Sequence, residues 1–492
     1  MRTAYEKLLK TPIDILILVF VLLTFYVITW AQRGMFFDGV TYAAVAHNLF
    51  LGIGNIRSPV FDIFPANSNS FDWHGGFYEH PSLVFVIDSL FYKTFGDAEY
   101  VDKLILITMC FCQLIVLCKI VDKLKLLFNH LLINKSYVVI LWMLSNTIRF
   151  CMSTNFCDNY LTLFSMMGFY CFLSALLTKS KSATLTYYIL GCVNVLLAVL
   201  SNGVTALAFL LTYPVLGFDK RNIIKQLFNI VLPFIVFFVL VLLCYYFFDS
   251  IAYNFIEYLK VQVLPSLTGG SRSMENAKVM PLYLRCWWYF YQIMLIDNPL
   301  FLILLLLFIT GYKKIQVNFK ILTMFLIVSL PIVIATPRSV GAVRFFEHAF
   351  FLLSILQVDM LSLMYINSSF KFRSGIITKS KVALITLSII SLLITIAILV
   401  TGFTTRDRNT IQNIDIIKEH KKIVEMPICT NDVRLVNDTN LQSYLIRYLS
   451  TNLSYSPNCD LAIYKILNSD VSDTKYDINK LSNNYYFYSR TN

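Results

Sequence analysis

Apolar runs of about twenty residues recur along the chain, and short basic segments separate them. A helix rises about 1.5 Å per residue, so roughly twenty apolar residues cross a hydrocarbon core of roughly 30 Å. Eleven such runs can be drawn, at 13–31, 103–118, 133–149, 159–178, 184–200, 203–218, 227–248, 286–310, 319–335, 345–366 and 382–402. The 492 residues are 57% hydrophobic and only 14% charged, against roughly a quarter charged in soluble domains. No soluble core hides that much apolar surface, so lipid must be the solvent for most of the chain.

The charges orient these runs. With the N-terminus inside, the inside segments are 1–12, 119–132, 179–183, 219–226, 311–318 and 367–381, and each carries Lys or Arg. Examples are Lys119, Lys123, Lys125, Lys179, Lys181, Lys220, Arg221, Lys313, Lys314, Lys371 and Arg373. The turns opposite, such as Ser201 to Gly203, are poorer in cations, as the positive-inside rule requires. This rule also accounts for the net charge of +12 without a nucleic-acid partner, for which no long basic run argues. Arg2, Lys7 and Lys10 precede the first run, which lacks a small-residue cleavage site and reads as an uncleaved helix.

The stretch 81–95 is not counted. As a helix it reaches only about 22 Å, and Ser82, Asp88, Ser89 and Lys93 recur near one face. An amphipathic helix lying in the outer interface is expected there. The fold class is thus an all-α polytopic membrane protein of about eleven transmembrane helices. Its membrane module covers 1–402, with an outer loop at 32–102. The tail 403–492 is polar, mixes short apolar strands with a helical pattern near Asn440 to Leu453, and is long enough for a small extracytoplasmic α+β domain. Nine of the eleven cysteines lie in or beside apolar runs and read as small hydrophobes. Cys429 and Cys459 lie in the tail, where either a disulfide or two free thiols would fit.

Chemically interesting residues gather on the outer side. Asp38 follows the first run among apolar neighbours, where partial withdrawal from water would suit it to proton transfer; a helix cap or solvated acid is the plainer reading. From Phe71 to Pro81 come two acids, two histidines and several aromatics, with Gly75 and Gly76 as a turn and Pro81 as the first residue of the interfacial helix. Glu79 and His80 would stand at that helix's start, where an anion meets free N–H groups. Asp158 opens a later helix on the same side, a position that capping alone also explains. Arg272, Lys278 and Arg285, then Arg338 and Arg344 with Glu347 and His348, place cations on the face that usually avoids them. Guanidinium groups there suit a phosphate; lipid headgroups or internal ion pairs are the alternatives. No nucleotide-binding motif appears, which argues against an ATP-driven pump.

The segments Phe37-Asp38-Gly39-Val40-Thr41-Tyr42-Ala43 and Phe77-Tyr78-Glu79-His80-Pro81-Ser82-Leu83, followed by Asp158, resemble the GT-C glycosyltransferases that use polyprenyl-phosphate sugars. That family includes lipid A aminoarabinose transferases, protein O-mannosyltransferases and glycosyltransferases of the lipopolysaccharide core. The likeness spans residues 13 to 350 in layout but only these motifs in residues. Ser82 stands where relatives have a second proline, His80 where some have lysine, and Asp38 is a single acid where many have two.

The resemblance implies sugar transfer from a polyprenyl-phosphate donor to a lipid, glycan or protein acceptor on the extracytoplasmic face, with inversion. It implies Asp38 as base or acceptor-orienting acid and Asp158 as its partner. Arg272, Lys278, Arg285, Arg338 and Arg344 would hold the donor phosphate, and Tyr42, Glu79 and His80 would line the site. A divalent metal is left open, since Asp62, Asp72, His74 and Glu79 offer ligands without diagnostic spacing. The Lys-, Ile- and Asn-rich usage points to an AT-rich bacterium, and the expected location is its inner membrane, with the N-terminus cytoplasmic and the C-terminal domain periplasmic or extracellular. Three other readings compete: a secondary transporter or lipid-linked-sugar flippase, an O-antigen ligase or polymerase, and a receptor whose tail is the active part. A transporter would place ionisable residues mid-membrane with internal repeats, and few charges and no repeat are seen.

Overall fold

A computed structural model describes residues 37–61, 72–73, 76–128, 135–154, 156–218, 223–265, 281–297, 319–335, 346–369, 429–430, 445–447, 454–455, 461–465, 476–482 and 485–490. The first and last expected crossings, 13–31 and 382–402, lie outside them.

The described part of the expected outer loop is more structured than the sequence indicates. It includes helix α1 (Phe37–Phe50), then β1 (Asp72–Trp73) paired antiparallel with β2 (Gly76–Phe77), Trp73 opposite Gly76. Helix α2 (Leu83–Phe95) is the expected short helix. Pro81 falls just before it rather than on its first turn, because the Asn254 side chain accepts the Ser82 N–H at 2.7 Å and ends the approach there. The polar residues of α2 do not all face water. Ser82 and Asp88 are fully buried, and only Lys93 of the expected polar set is exposed. Asp88 turns inward because the Tyr160 hydroxyl donates to it.

Helix α3 (Glu99–Leu127) is the first described crossing. The next expected crossing, 133–149, is two helices, α4 (Lys135–Leu144) and α5 (Asn146–Met152). Ser145 breaks it: its Oγ accepts from the Ile148 N–H at 3.2 Å and donates to Asp297 at 2.9 Å, while Asp297 also takes the Thr147 N–H at 2.6 Å. Such caps compete with continued helix. Helices α6 (Cys157–Leu177) and α7 (Lys181–Asn202) then form a tight antiparallel hairpin. Gly191 makes the close approach possible, since a Cβ there would meet the Phe172 ring at 2.4 Å.

The expected crossing 203–218 begins as a 3-10 helix, Val204–Leu211, and ends as α8 (Thr212–Leu216). Helix α9 (Ile223–Phe247) is the most peripheral, and Phe228, Val231, Phe238, Leu242 and Tyr246 stand exposed along it. In water that stripe would aggregate; against lipid it needs no cover. Helix α10 (Asp249–Tyr258), continued by a π turn to Val263, was not expected. Helices α11 (Leu282–Tyr291), α12 (Phe319–Ala335) and α13 (Glu347–Ser369) complete the described bundle. Among the described residues, four helices are long and apolar enough to cross a membrane, at Glu99–Leu127, Cys157–Leu177, Lys181–Asn202 and Ile230–Phe247. The protein is an integral membrane protein.

The basic end of the bundle behaves as cations at helix C-termini should. Lys320 donates to the carbonyls of Leu216 and Phe218 at 2.8 and 3.3 Å, closing α8. Lys135 pairs with Asp122 at 2.8 Å across the loop between α3 and α4.

The C-terminal strands β3 (Cys429–Thr430), β4 (Ser454–Tyr455), β5 (Leu461–Lys465), β6 (Tyr476–Ser482) and β7 (Tyr485–Arg490) form one sheet in the order β4-β3-β5-β7-β6. Its β3 pairings are parallel and the rest antiparallel, and residues 445–447 are helical. The pairing of Cys429 with Cys459 lies outside the described residues.

Candidate active site

Of the residues singled out by sequence, Tyr42, His80 and Asp158 meet at one end of the bundle. Asp38 lies in the first turn of α1, and Tyr42 follows one turn later on the same face. Asp38 is half-buried and Tyr42 almost fully buried. Glu79 and His80, both half-buried, stand on the approach to α2. Asp158 lies in the first turn of α6, 4% exposed, and Asn202 is the last residue of α7.

Four side chains from these elements form a continuous hydrogen-bonded line. Tyr42 Oη lies 2.7 Å from His80 Nε2, with the rings edge-to-face at 4.7 Å. His80 Nδ1 lies 2.9 Å from Asn202 Oδ1, and Asn202 Nδ2 donates to Asp158 Oδ1 at 2.5 Å. Tyr42, His80 and Asp158, read separately in the sequence, are thereby joined in one hydrogen-bonded line. Asn202 is the link that sequence reading missed. Its only signal was an amide side chain ending a helix on the outer side.

Helix α10 roofs this line. The Tyr258 hydroxyl donates to the Asn202 carbonyl at 3.4 Å. Burial, then the neighbouring Cys157 and Asp158, push the Tyr258 phenol up, so it stays a donor. Gly203 lets it in: its φ of +117° favours glycine, and a Cβ there would lie 2.2 Å from the Tyr258 oxygen. Glu347, first residue of α13, is buried near Asp158, Cys151 and Thr162, and His348 packs against Phe209.

A second buried polar layer lies behind. Tyr160, two residues after Asp158, donates to Asp88 of α2. Tyr92 of α2 donates to Asp102 at 2.6 Å, and Asp102 also receives Arg447 Nε and Nη2 at 3.2 and 3.0 Å. Arg447 further donates to the Asp97 carbonyl at 2.8 Å and lies 4.5 Å from the centre of the Tyr92 ring. The C-terminal segment is therefore docked at the same end of the bundle as the site. Both ions are 1% exposed, and nothing local in the sequence announced the pair.

The expected phosphate cluster is described at one member. Arg285 donates through Nη1 to the carbonyls of Val333 and Ile334, at 2.8 and 3.0 Å, closing the end of α12. Arg272, Lys278, Arg338 and Arg344 lie outside the described residues, as do Asp62 and the side chains of Asp72 and His74. Among the described residues no three His, Cys, Asp or Glu side chains assemble into a metal site.

No protein-family model matches the chain, and no curated sequence relative matches it. Solved structures do. The chain is similar to ArnT from Cupriavidus metallidurans in the apo state, at 15% identity and a TM-score of 0.57, covering 90% of this chain and 85% of that one. It is equally similar to the same protein bound to undecaprenyl phosphate, at 12% identity and a TM-score of 0.58, covering 96% and 97%. The fold is of the GT-C type. The match runs over nearly the whole of both chains, so a GT-C layout underlies the short motifs on which the resemblance first rested.

Proposed function

We propose that the protein is a membrane glycosyltransferase that moves a sugar from a polyprenyl-phosphate donor to a lipid, glycan or protein acceptor on the extracytoplasmic face. The observation that carries this reading is the hydrogen-bonded line Tyr42–His80–Asn202–Asp158 at one end of a GT-C-type bundle, with Asp38 one helical turn before Tyr42 on α1. A polyprenyl tail needs a lipid-open flank, a phosphate needs cations at headgroup level, and the acceptor needs a proton acceptor near the anomeric carbon. The ArnT structure with undecaprenyl phosphate supports a donor of that class.

In this reading Asp38 takes the acceptor proton or orients the acceptor, with Asp158 at the far end of the hydrogen-bonded line. The acceptor oxygen or nitrogen attacks the anomeric carbon, the bond to phosphate breaks, and polyprenyl phosphate leaves with the bonding electrons. One in-line attack inverts the anomeric carbon. Phosphate is already a good leaving group, so a protonating acid is less needed than in glycoside hydrolysis. Arg272, Lys278, Arg338 and Arg344 hold the phosphate, while Arg285 is engaged with the Val333 and Ile334 carbonyls. In this reading the tail 403–492 lies on the extracytoplasmic side, and the docking of Arg447 beside the start of α3 supports its association with the end of the bundle that holds the site. The membrane is the bacterial inner membrane.

The test is release of polyprenyl phosphate by the purified protein from a panel of polyprenyl-phosphate sugars. Release from at least one donor, rising when its acceptor is added, is the expected result. Binding of donors without release from any would overturn the reading in favour of transport or flipping.

A further inference from the structure

The apolar packing behind the site includes the tail. Tyr42 of α1, Phe77 of β2, Phe85 of α2 and Tyr160 of α6 belong to one buried cluster, and Ile446 of the tail belongs to it too. These elements carry Tyr42 and Asp158 and, in the stretch between β2 and α2, His80. Leu445 and Ile446 are fully buried and Arg447 is 1% exposed. A turn resting on a finished surface would leave one of three consecutive side chains in water. Here all three are enclosed, the long guanidinium side chain included, and arginine is seldom fully buried unless paired.

Helix α2 is fastened along its length. At its start the Asn254 side chain of α10 accepts the Ser82 N–H at 2.7 Å. In its middle Asp88 receives the Tyr160 hydroxyl of α6. At its end Tyr92 donates to Asp102 at 2.6 Å and lies with its ring 4.5 Å from the Arg447 guanidinium. The first two fastenings come from the membrane module, and the third is completed by the tail. Arg447 also donates to the carbonyls of Asp97 and Ala98, at 2.8 and 3.5 Å, so it grips the connection between α2 and α3. His47 of α1 reaches the same connection, with Nε2 3.4 Å from the Asp97 carboxylate and its ring edge-to-face with Tyr92.

We infer that the turn 445–447 is a positioning element of the site: Ile446 and Arg447 hold α1 and α2 against α6 and so set where Tyr42 and His80 stand relative to Asp158. Both side chains are enclosed, so they act through the helices they hold. The tail is then part of the module that carries the site, not a separate unit at its edge.

The inference rests on the glycosyltransferase reading for its effect on a reaction, but the coupling itself is measured without substrate. Hydrogen exchange is followed in full-length Arg447→Met and Ile446→Ala, which break the ion pair and the apolar contact separately. Exchange in residues 83–95 is expected to quicken about tenfold or more in each, while the distant α12, residues 319–335, keeps its wild-type rate. Faster exchange confined to 445–447 overturns the inference. If either variant fails to fold, Ile446→Val, which removes one carbon, is measured in its place by the same criteria.

In the release assay Arg447→Met should lower kcat about tenfold or more with the donor KM within about twofold, because the proposed phosphate contacts are untouched. Arg447→Lys, which keeps the charge but not the fork, should recover part of that loss. Wild-type kcat in a variant whose α2 exchanges faster overturns the link between the tail and the site. The expected exchange with no release from any donor by wild type upholds the coupling and overturns the glycosyltransferase reading instead.

Discussion

Arg447→Met removes one partner of a buried ion pair while keeping most of the side-chain volume. Both members are 1% exposed, so water cannot take the lost partner's place. Asp102 would keep the Tyr92 hydroxyl at 2.6 Å but lose both guanidinium contacts, and the Asp97 carbonyl would lose its 2.8 Å donor. Breaking a buried pair from one side costs about 3–5 kcal/mol, because a desolvated charge is left behind. About 1.4 kcal/mol is tenfold in an equilibrium, so undocking of the C-terminal segment should become roughly a hundred- to several-thousandfold more frequent. Hydrogen exchange across residues 445–447, read by mass spectrometry in detergent micelles, measures that opening directly. Adding Asp102→Asn should restore much of the protection, since it removes the stranded charge and still accepts from Tyr92. Exchange unchanged in Arg447→Met, or a double variant that opens more than the single one, would refute the argument that this pair holds the segment down.

Gly203→Ala sets a side chain into left-handed backbone and onto Tyr258, and should lower thermal stability by about 1–3 kcal/mol; Tyr258→Phe in the same chain should recover only the part due to the clash. Tyr160→Phe strips a donor from the buried Asp88 and should cost about 1–3 kcal/mol in a denaturation titration, with the effect on α2 visible as faster exchange there. Burial, then the charge of Arg447, lowers the His47 imidazole below its usual 6.5 against the opposing pull of Asp97 and Asp102. The unfolded chain therefore binds this proton first, so stability is fully present above about pH 6.5 and falls as pH drops below it; His47→Gln should flatten that part of a stability–pH curve.

Much of the architecture was legible because lipid imposes a simple rule on sequence. The runs at 103–118, 159–178, 184–200 and 227–248 were bounded to within a few residues, except that α3 extends further at both ends. What local hydropathy could not show was where a polar side chain would interrupt a helix. Ser145 breaks its run because Asp297, some 150 residues away, meets it. The same limit explains α2, whose Asp88 reads as a solvent-facing residue until Tyr160 is placed beside it.

Asp38, Glu79, His80 and Asp158 drew attention in the sequence because acids and histidines are scarce in so apolar a chain, and the structure brings His80 and Asp158 into one hydrogen-bonded line with Tyr42. Asn202, Tyr258 and Arg447 drew none, because an amide, a phenol or one more arginine carries no signal until the fold supplies its partner. Arg285 shows the converse: a cation on the outer side is already engaged with helix carbonyls.

In the proposed function, the end of the bundle holding Asp38, His80 and Asp158 transfers a sugar from a lipid phosphate. The most direct measurement is the rate of polyprenyl phosphate release by Asp38→Asn beside wild type, with both proteins shown to be folded by matching thermal transitions. Loss of a positioned proton acceptor should slow release by about 10²- to 10⁴-fold. Release at the wild-type rate from the folded variant would contradict the role given to Asp38 and move the chemistry away from the start of α1.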